Sequence, residues 1–287
     1  MTARGAPVIR SLLYVPASSD RFIAKAHERG ADAIILDLED AVVPAEKPSA
    51  RMRLAGSVAS VRQRGALVFV RINSEPELLP LDAEAACRAG AFGLFVSKAR
   101  DPRKLQELVA LLERIEHAAG RAPIVLVPMI EDPGAVLEAR TIAAATPRVF
   151  ALITGGEDLA TSLDAEPTPE VLRVPKLLVH LAAKAAGVRS FGLLRTVADY
   201  GEVEAIERSA QEARGFGFDG ASCVHPKVVP ILNRAFSPSP EALDHARRLV
   251  AAAEQAKARG EGAFAFEGRM VDEPVIKRAR ALLDREP

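Results

Sequence analysis

Cysteine is almost missing from this chain. Cys87 and Cys223 stand far apart, outside any CxxC or histidine-bearing spacing, which excludes a disulfide framework and a zinc site. Both are expected as small buried residues. Tryptophan is absent and aromatic residues are sparse. Neither sign of charge dominates: 38 basic side chains balance 38 acidic ones without a basic block, which argues against a nucleic-acid surface. No apolar run reaches membrane-spanning length, and MTARGAPVIR lacks the apolar core of a signal peptide. A soluble, cytoplasmic protein without a membrane partner is therefore expected.

What is present is length and repetition. A chain of 287 residues, 49% hydrophobic, suits one large α/β domain. Its organising stretch is IVLVPMIED, residues 124–132: an apolar run between Pro123 and Pro133 that fits a strand buried on both faces and ends in two carboxylates. The run VFALITGGED, residues 149–158, repeats the pattern. Further apolar runs cover 11–15, 33–38, 67–72, 92–96, 190–195 and 220–224, and helical periodicity fills the intervals, including 47–63, 102–119, 134–145 and 170–186. Strand and helix alternating eight times predict an α/β fold of the closed (β/α)8 (TIM) barrel type over residues 1–236. The rival, a doubly wound open sheet, lacks its glycine fingerprint: Pro16-Ala17-Ser18-Ser19 stands where GxGxxG belongs. Residues 237–287 then read as a helical C-terminal extension with alternating Phe264 and Phe266, expected to pack on something, which the family resemblance below makes a neighbouring subunit.

In such a barrel, function gathers where strands run out. Asp37, Glu39 and Asp40 end the second strand, Arg71 the third, Ser97-Lys98 the fourth, Glu131-Asp132 the fifth, Glu157-Asp158 the sixth and His225 the eighth. Carboxylates held together repel one another unless a cation joins them, and Mg²⁺ takes one or two protein carboxylates, an arrangement that Glu131 and Asp158 fit; the alternative for any one of these acids is a helix cap or a partner for a nearby arginine. Asp132 and Glu157 read as helix caps or partners of arginines. Arg71 at the mouth has use for a carboxylate, on a ligand or on the protein itself, where Asp37 or Glu39 would serve. His225 reads as a turn residue and His180 as a structural one.

RSLLYVPASSDRFIAKA, GADAIILDLEDAV, VFVRIN, PMIED, GGEDLA, GFDGASCVHP and GRMVDEPV, in this order, resemble the citrate lyase β-subunit-like (CitE-like) lyases of the HpcH/HpaI aldolase superfamily. The resemblance implies a barrel in a homo-oligomer, often a trimer, with bound Mg²⁺. It also implies reversible cleavage of a 3-hydroxyacyl thioester of the malyl-CoA, citramalyl-CoA or citryl kind to acetyl-CoA and a 2-oxo acid. Carried over residue by residue, Glu131 and Asp158 match the metal ligands, and Arg71 the arginine that grips the 2-oxo acid carboxylate. Glu39 and Asp40 match acids that hold metal-bound waters near the substrate, and Arg21, Phe22 and Lys25 fall where coenzyme A binds. Asp272 matches an acid that reaches into a neighbouring subunit's site, and is the candidate for proton transfer.

Two alternatives stand beside this expectation: a citrate lyase β subunit working on an acyl-carrier-protein thioester within a complex, and an aldolase acting on free 2-oxo acids without coenzyme A. The sequence departs from the family pattern at Phe191, where relatives carry Asp, at Ser97, where they carry Pro, and in a short, proline-rich stretch at 164–175. Phe191 is expected either to pack or to alter the acyl pocket.

Overall fold

The computed structural model describes residues 7–198 and 200–284. It contains two compact units, one spanning Ile9–Arg234 and the other made of residues 235–284 with Pro7 and Val8.

In the first unit the apolar runs form eight parallel strands: β1 (Ser11–Pro16), β2 (Ala33–Asp37), β3 (Leu67–Ile72), β4 (Gly93–Val96), β5 (Val125–Ile130), β6 (Ala151–Thr154), β7 (Arg189–Phe191) and β8 (Ala221–Cys223). Each pairs with its successor from β1 to β7, and β8 returns to β1 with Leu13 opposite Cys223. The seam between β7 and β8 closes through a bridge between Phe191 and Gly220, where the Gly192 N–H donates to the Gly220 carbonyl at 2.9 Å. A Cβ on Gly220 would stand 2.1 Å from the Ile9 carbonyl oxygen, so this close approach of backbones requires glycine. The fold is thus a (β/α)8 barrel. β7 is shorter than the run 190–195 suggests, because Gly192 adopts φ 146° and turns the chain out of the strand.

Around the ring lie α1 (Asp20–Ala26), α2 (Lys47–Val61), α3 (Leu79–Ala89), α4 (Pro102–Ala119), α5 (Pro133–Leu137), α6 (Ala139–Ala143), α7 (Gly156–Ser162), α8 (Pro169–Ala185), α9 (Val203–Phe216) and α10 (Val229–Phe236). A local code starts several of them. Asp101, Asp132 and Thr168 each precede a proline and accept a backbone N–H from the first helical turn, so the cap removes an orphan donor while proline presets φ. The expected single helix over 134–145 is two short helices, because helical geometry lapses at Glu138, with φ −94° and ψ 5°.

Inward-facing Ile35, Phe69, Phe95, Val127, Met129, Ile153 and Phe191 fill the barrel. The few aromatics are concentrated here: Phe69 meets Phe92 and Phe95 edge-on with ring centroids 5.3 Å apart in both pairs. Phe191 belongs to this interior, packed 6.4 Å from Phe150, so at this position the departure from the family pattern is packing. Cys87 and Cys223 are both buried free thiols.

The second unit contains α11 (Pro240–Ala258), β9 (Phe264–Phe266), β10 (Arg269–Val271) and α12 (Glu273–Leu283). β9 and β10 form an antiparallel hairpin turned by Glu267 and Gly268, at φ 47° and 78°. Ala246, Leu249, Ala253, Val271, Ile276 and Ala279 make its small core, with Phe264 and Phe266 packed against it. Residues 285–287 of the expected helical extension lie outside the described residues. Among the described residues no helix is long and apolar enough to cross a membrane.

Candidate active site

The C-terminal ends of the barrel strands deliver a layered set of charges. Arg71, last but one in β3, donates from Nε to Asp37 Oδ1 at 2.8 Å and from a terminal nitrogen to Asp37 Oδ2 at 2.5 Å. Its other terminal nitrogen lies 3.0 Å from Glu39 and 3.1 Å from Asp40. Burial opposes the charge on Arg71, but Asp37, Tyr14 and Glu39 more than offset it and hold its pKa above the usual value. Of the two expectations for Arg71, the protein carboxylate is therefore present: Asp37 holds the fork on two sides. Asp40 is the exposed member of the group, and Asp37 and Glu39 are buried.

The end of β4 carries the second layer. Lys98 has φ 52°, a left-handed conformation that costs energy in a non-glycine residue and clusters at functional sites. That turn aims the Lys98 N–H at Glu131 Oε2, 2.5 Å away, while its Nζ lies 3.3 Å from Glu39 Oε1. Ser97 donates its hydroxyl to Glu39 Oε2 at 2.7 Å, a bond that the proline usual at this position could not make. Glu131 is 3% exposed, and burial pushes its pKa up to about 8, with Glu39 and Asp158 adding to the rise and the Lys98 N–H opposing it. Burial likewise raises Glu39, against Arg71, Ser97 and Lys98.

Asp158 arrives from the other side, in the first turn of α7, whose start at Gly155-Gly156 brings backbone close to β5. A Cβ on Gly155 would stand 2.4 Å from Glu131 Oε1, so the bare glycine makes room for that carboxylate. Glu157, in the wall of the same cavity, accepts the Thr196 hydroxyl. Asp132 caps α5 at 3.0 Å and pairs with Arg100 at 3.7 Å. His225 caps a turn through the Lys227 N–H at 3.2 Å and stacks on Tyr200, and His180 stacks on Phe218 at 4.3 Å.

Two cavities open at this rim. One of about 420 Å³ is lined by Asp37, Asp40, Arg71, Glu131, Asp158 and Lys176 among others. The other, about 780 Å³, has Arg21, Phe22 and Lys25 in its wall, joined by Arg29 and Lys227. Tyr14, Pro16 and Val224 line both. The residues expected to bind metal and oxo acid thus surround the smaller cavity, with Glu39 buried behind it, and those expected to meet coenzyme A surround the larger. Asp272 lies in the second unit, where its carboxylate caps α12 by accepting the Val275 N–H at 3.4 Å.

Sequence reasoning singled out neither Tyr14 nor Lys176, and it placed Ser97-Lys98 at the end of the fourth strand without giving them a role. Lys176 left a legible signal, a lysine in the apolar stripe Leu172, Val179, Ala183 of α8. It is 4% exposed, donates to the Leu193 and Arg195 carbonyls at 3.0 and 2.7 Å, and burial lowers its pKa to about 8 against the pull of Glu157. It pins the loop after β7.

Fold and rim together define a barrel enzyme with a carboxylate-bearing active-site mouth beside a basic cavity. Residues 10–226 match the HpcH/HpaI aldolase/citrate lyase family, and the chain belongs to it. It is 33% identical to citrate lyase subunit beta of Escherichia coli K12 over 96% of this chain and 92% of that protein. It is 33% identical to a (3S)-malyl-CoA thioesterase of Cereibacter sphaeroides over 98% and 95% of the two chains. A crystal structure of CitE from Mycobacterium tuberculosis with magnesium, acetoacetate and coenzyme A aligns with a TM-score of 0.76 at 32% identity, covering 97% of this chain and 98% of that one. The protein is a CitE-like carbon–carbon lyase.

Proposed function

We propose that this enzyme reversibly cleaves a 3-hydroxyacyl-CoA of the malyl, citramalyl or citryl kind to acetyl-CoA and a 2-oxo acid, with Mg²⁺ at the smaller cavity. The observation that carries the reading is the shared wall of Tyr14, Pro16 and Val224 between a cavity bearing four cations and one bearing carboxylates and an arginine. A ligand anchored by phosphates in the first can present its acyl group in the second. The CitE structure with magnesium and coenzyme A supports the same assignment.

The donor set fits the metal. Glu131 and Asp158 offer hard oxygen donors, and the pKa of Glu131 is raised first by burial and further by the charges of Glu39 and Asp158, a cost that a bound cation would relieve. Among the described residues there is no group of three or more His, Cys, Asp or Glu side chains that could hold a metal ion. Mg²⁺ does not need one, since it keeps waters and substrate oxygens in its shell. Glu131 and Asp158 would hold it, and Glu39 and Asp40 would hold its waters. When bound, Mg²⁺ supplies Lewis acidity to the oxygens of the oxo or hydroxy acid.

The chain's own residues do the rest. Arg71, oriented by Asp37, keeps its positive charge toward the cavity and binds the substrate carboxylate. The Lys98 N–H holds Glu131 in place, and Arg21, Phe22 and Lys25 bind the nucleotide end of coenzyme A. Asp272 of a second copy in a homo-oligomer moves the proton at the carbon next to the thioester. Calorimetric titration of oxaloacetate, pyruvate, glyoxylate and acetyl-CoA, each with Mg²⁺ and with EDTA, tests the reading. Mg²⁺-dependent binding of one oxo acid together with acetyl-CoA binding is expected. Oxo acid binding without any acetyl-CoA binding would point instead to a carrier-protein thioester or a free-acid aldolase.

A further inference from the structure

Tyr14 occupies the only stretch of wall, among the described residues, where β1 faces both cavities with a polar side chain. Its ring faces the barrel interior: Phe95 meets it edge-on at 6.2 Å, and the Arg71 guanidinium lies 5.4 Å from its centroid. These contacts hold the ring in place. The hydroxyl is not similarly engaged. Among the described residues it has no hydrogen-bond partner, and it is not one of the sealed-off polar atoms. A polar group fixed at a junction, unpaired and open to a cavity, is placed to bind a ligand.

We propose that the Tyr14 hydroxyl donates a hydrogen bond to the thioester carbonyl oxygen of the acyl-CoA, at the crossing between the two cavities. The inference rests on the acyl-CoA lyase reading above. Cleavage breaks the carbon–carbon bond, turns the 3-hydroxyl into the oxo group with loss of its proton, and leaves the bonding pair on the thioester enolate, which then takes a proton on carbon. Negative charge therefore gathers on the thioester oxygen in between, and a fixed donor there stabilises the transition state more than the ground state. Burial keeps the phenol protonated, well above its ordinary pKa, and outweighs the opposing pull of Arg71. It acts as a donor and takes no part in the proton transfer.

Tyr14→Phe keeps the ring and its contacts and removes only the donor. The test measures kcat for acyl-CoA cleavage, calorimetric Kd for acetyl-CoA and for the 2-oxo acid, and the infrared carbonyl stretch of bound acetyl-CoA labelled isotopically at its thioester carbon. The expected result is a fall in kcat of about 10²-fold, a 2-oxo acid Kd close to wild type, and loss of the red shift that the wild-type site imposes on the thioester band. Wild-type kcat in the variant overturns the inference, and so does a fall in kcat with the red shift retained. Failure of the parent reading shows separately, as a wild-type protein that neither binds acetyl-CoA nor cleaves any acyl-CoA, and it takes this inference with it. Circular dichroism and melting of the variant confirm that the barrel is folded in each case.

Discussion

Adding one methyl group at Gly155 should disable the site without touching its charge. Gly155 has φ −79°, which any residue adopts, so alanine there meets no backbone strain. It meets Glu131 instead, with its Cβ 2.4 Å from Oε1, 2.6 Å from Cγ and 3.0 Å from Cδ. Regaining ordinary carbon–oxygen contact takes a displacement of about 1 Å. Glu131 is buried and tethered to the Lys98 N–H at 2.5 Å, so it cannot swing aside freely. Losing that hydrogen bond costs ~0.5–1.5 kcal/mol, and misplacing a catalytic group by about 1 Å costs roughly 10²-fold in rate. In Gly155→Ala, kcat should therefore fall by about that factor and the Mg²⁺ concentration for half-activation should rise, while acetyl-CoA affinity stays at the wild-type value. The assay is initial rate against Mg²⁺, with thermal melting alongside. Wild-type turnover with an unchanged Mg²⁺ requirement would refute the placement of Glu131 against Gly155 and its role as a metal ligand.

Three further outcomes follow from particular contacts. Arg71→Ala strands the buried Asp37 carboxylate as well as removing the substrate clamp, so it should lower stability by ~3–5 kcal/mol along with activity; a variant that loses activity but melts like wild type would contradict the Asp37 pairing. Burial beside Phe218 lowers the pKa of His180 from its ordinary 6.5, with Lys184 in the same direction and the Phe216 backbone and Asp219 opposed. The unfolded chain therefore binds the proton first. This contribution to stability is present above pH 6.5 and is lost as pH falls from there toward the lower folded value, so melting temperature against pH should be flatter on the acid side in His180→Leu than in wild type. Gly56 lies mid-way along α2 with nothing within 4 Å of where a methyl group would sit, and Gly56→Ala should raise stability by ~0.5–1 kcal/mol in chemical denaturation.

The amino-acid sequence alone determined the barrel. Strands buried on both faces must be continuous apolar runs, and proline after a capping Asp, Ser or Thr marks helix starts by local chemistry, as at Asp101-Pro102, Thr168-Pro169 and Ser239-Pro240. The acids and Arg71 were legible for the same reason: strand ends are readable, and in a barrel of this kind strand ends are the active-site rim. Tertiary structure decided what these groups do to one another. Whether Phe191 packs in the core or lines the acyl pocket was open until the ring of phenylalanines received it, and Arg71 could have faced a ligand alone until Asp37 took its fork. Lys98 turns its N–H toward Glu131 through a positive φ that no residue pattern announces. Tyr14 and Val224, 210 positions apart in the chain, share a wall only because β8 closes the ring on β1, and that long-range pairing creates the junction between the two cavities.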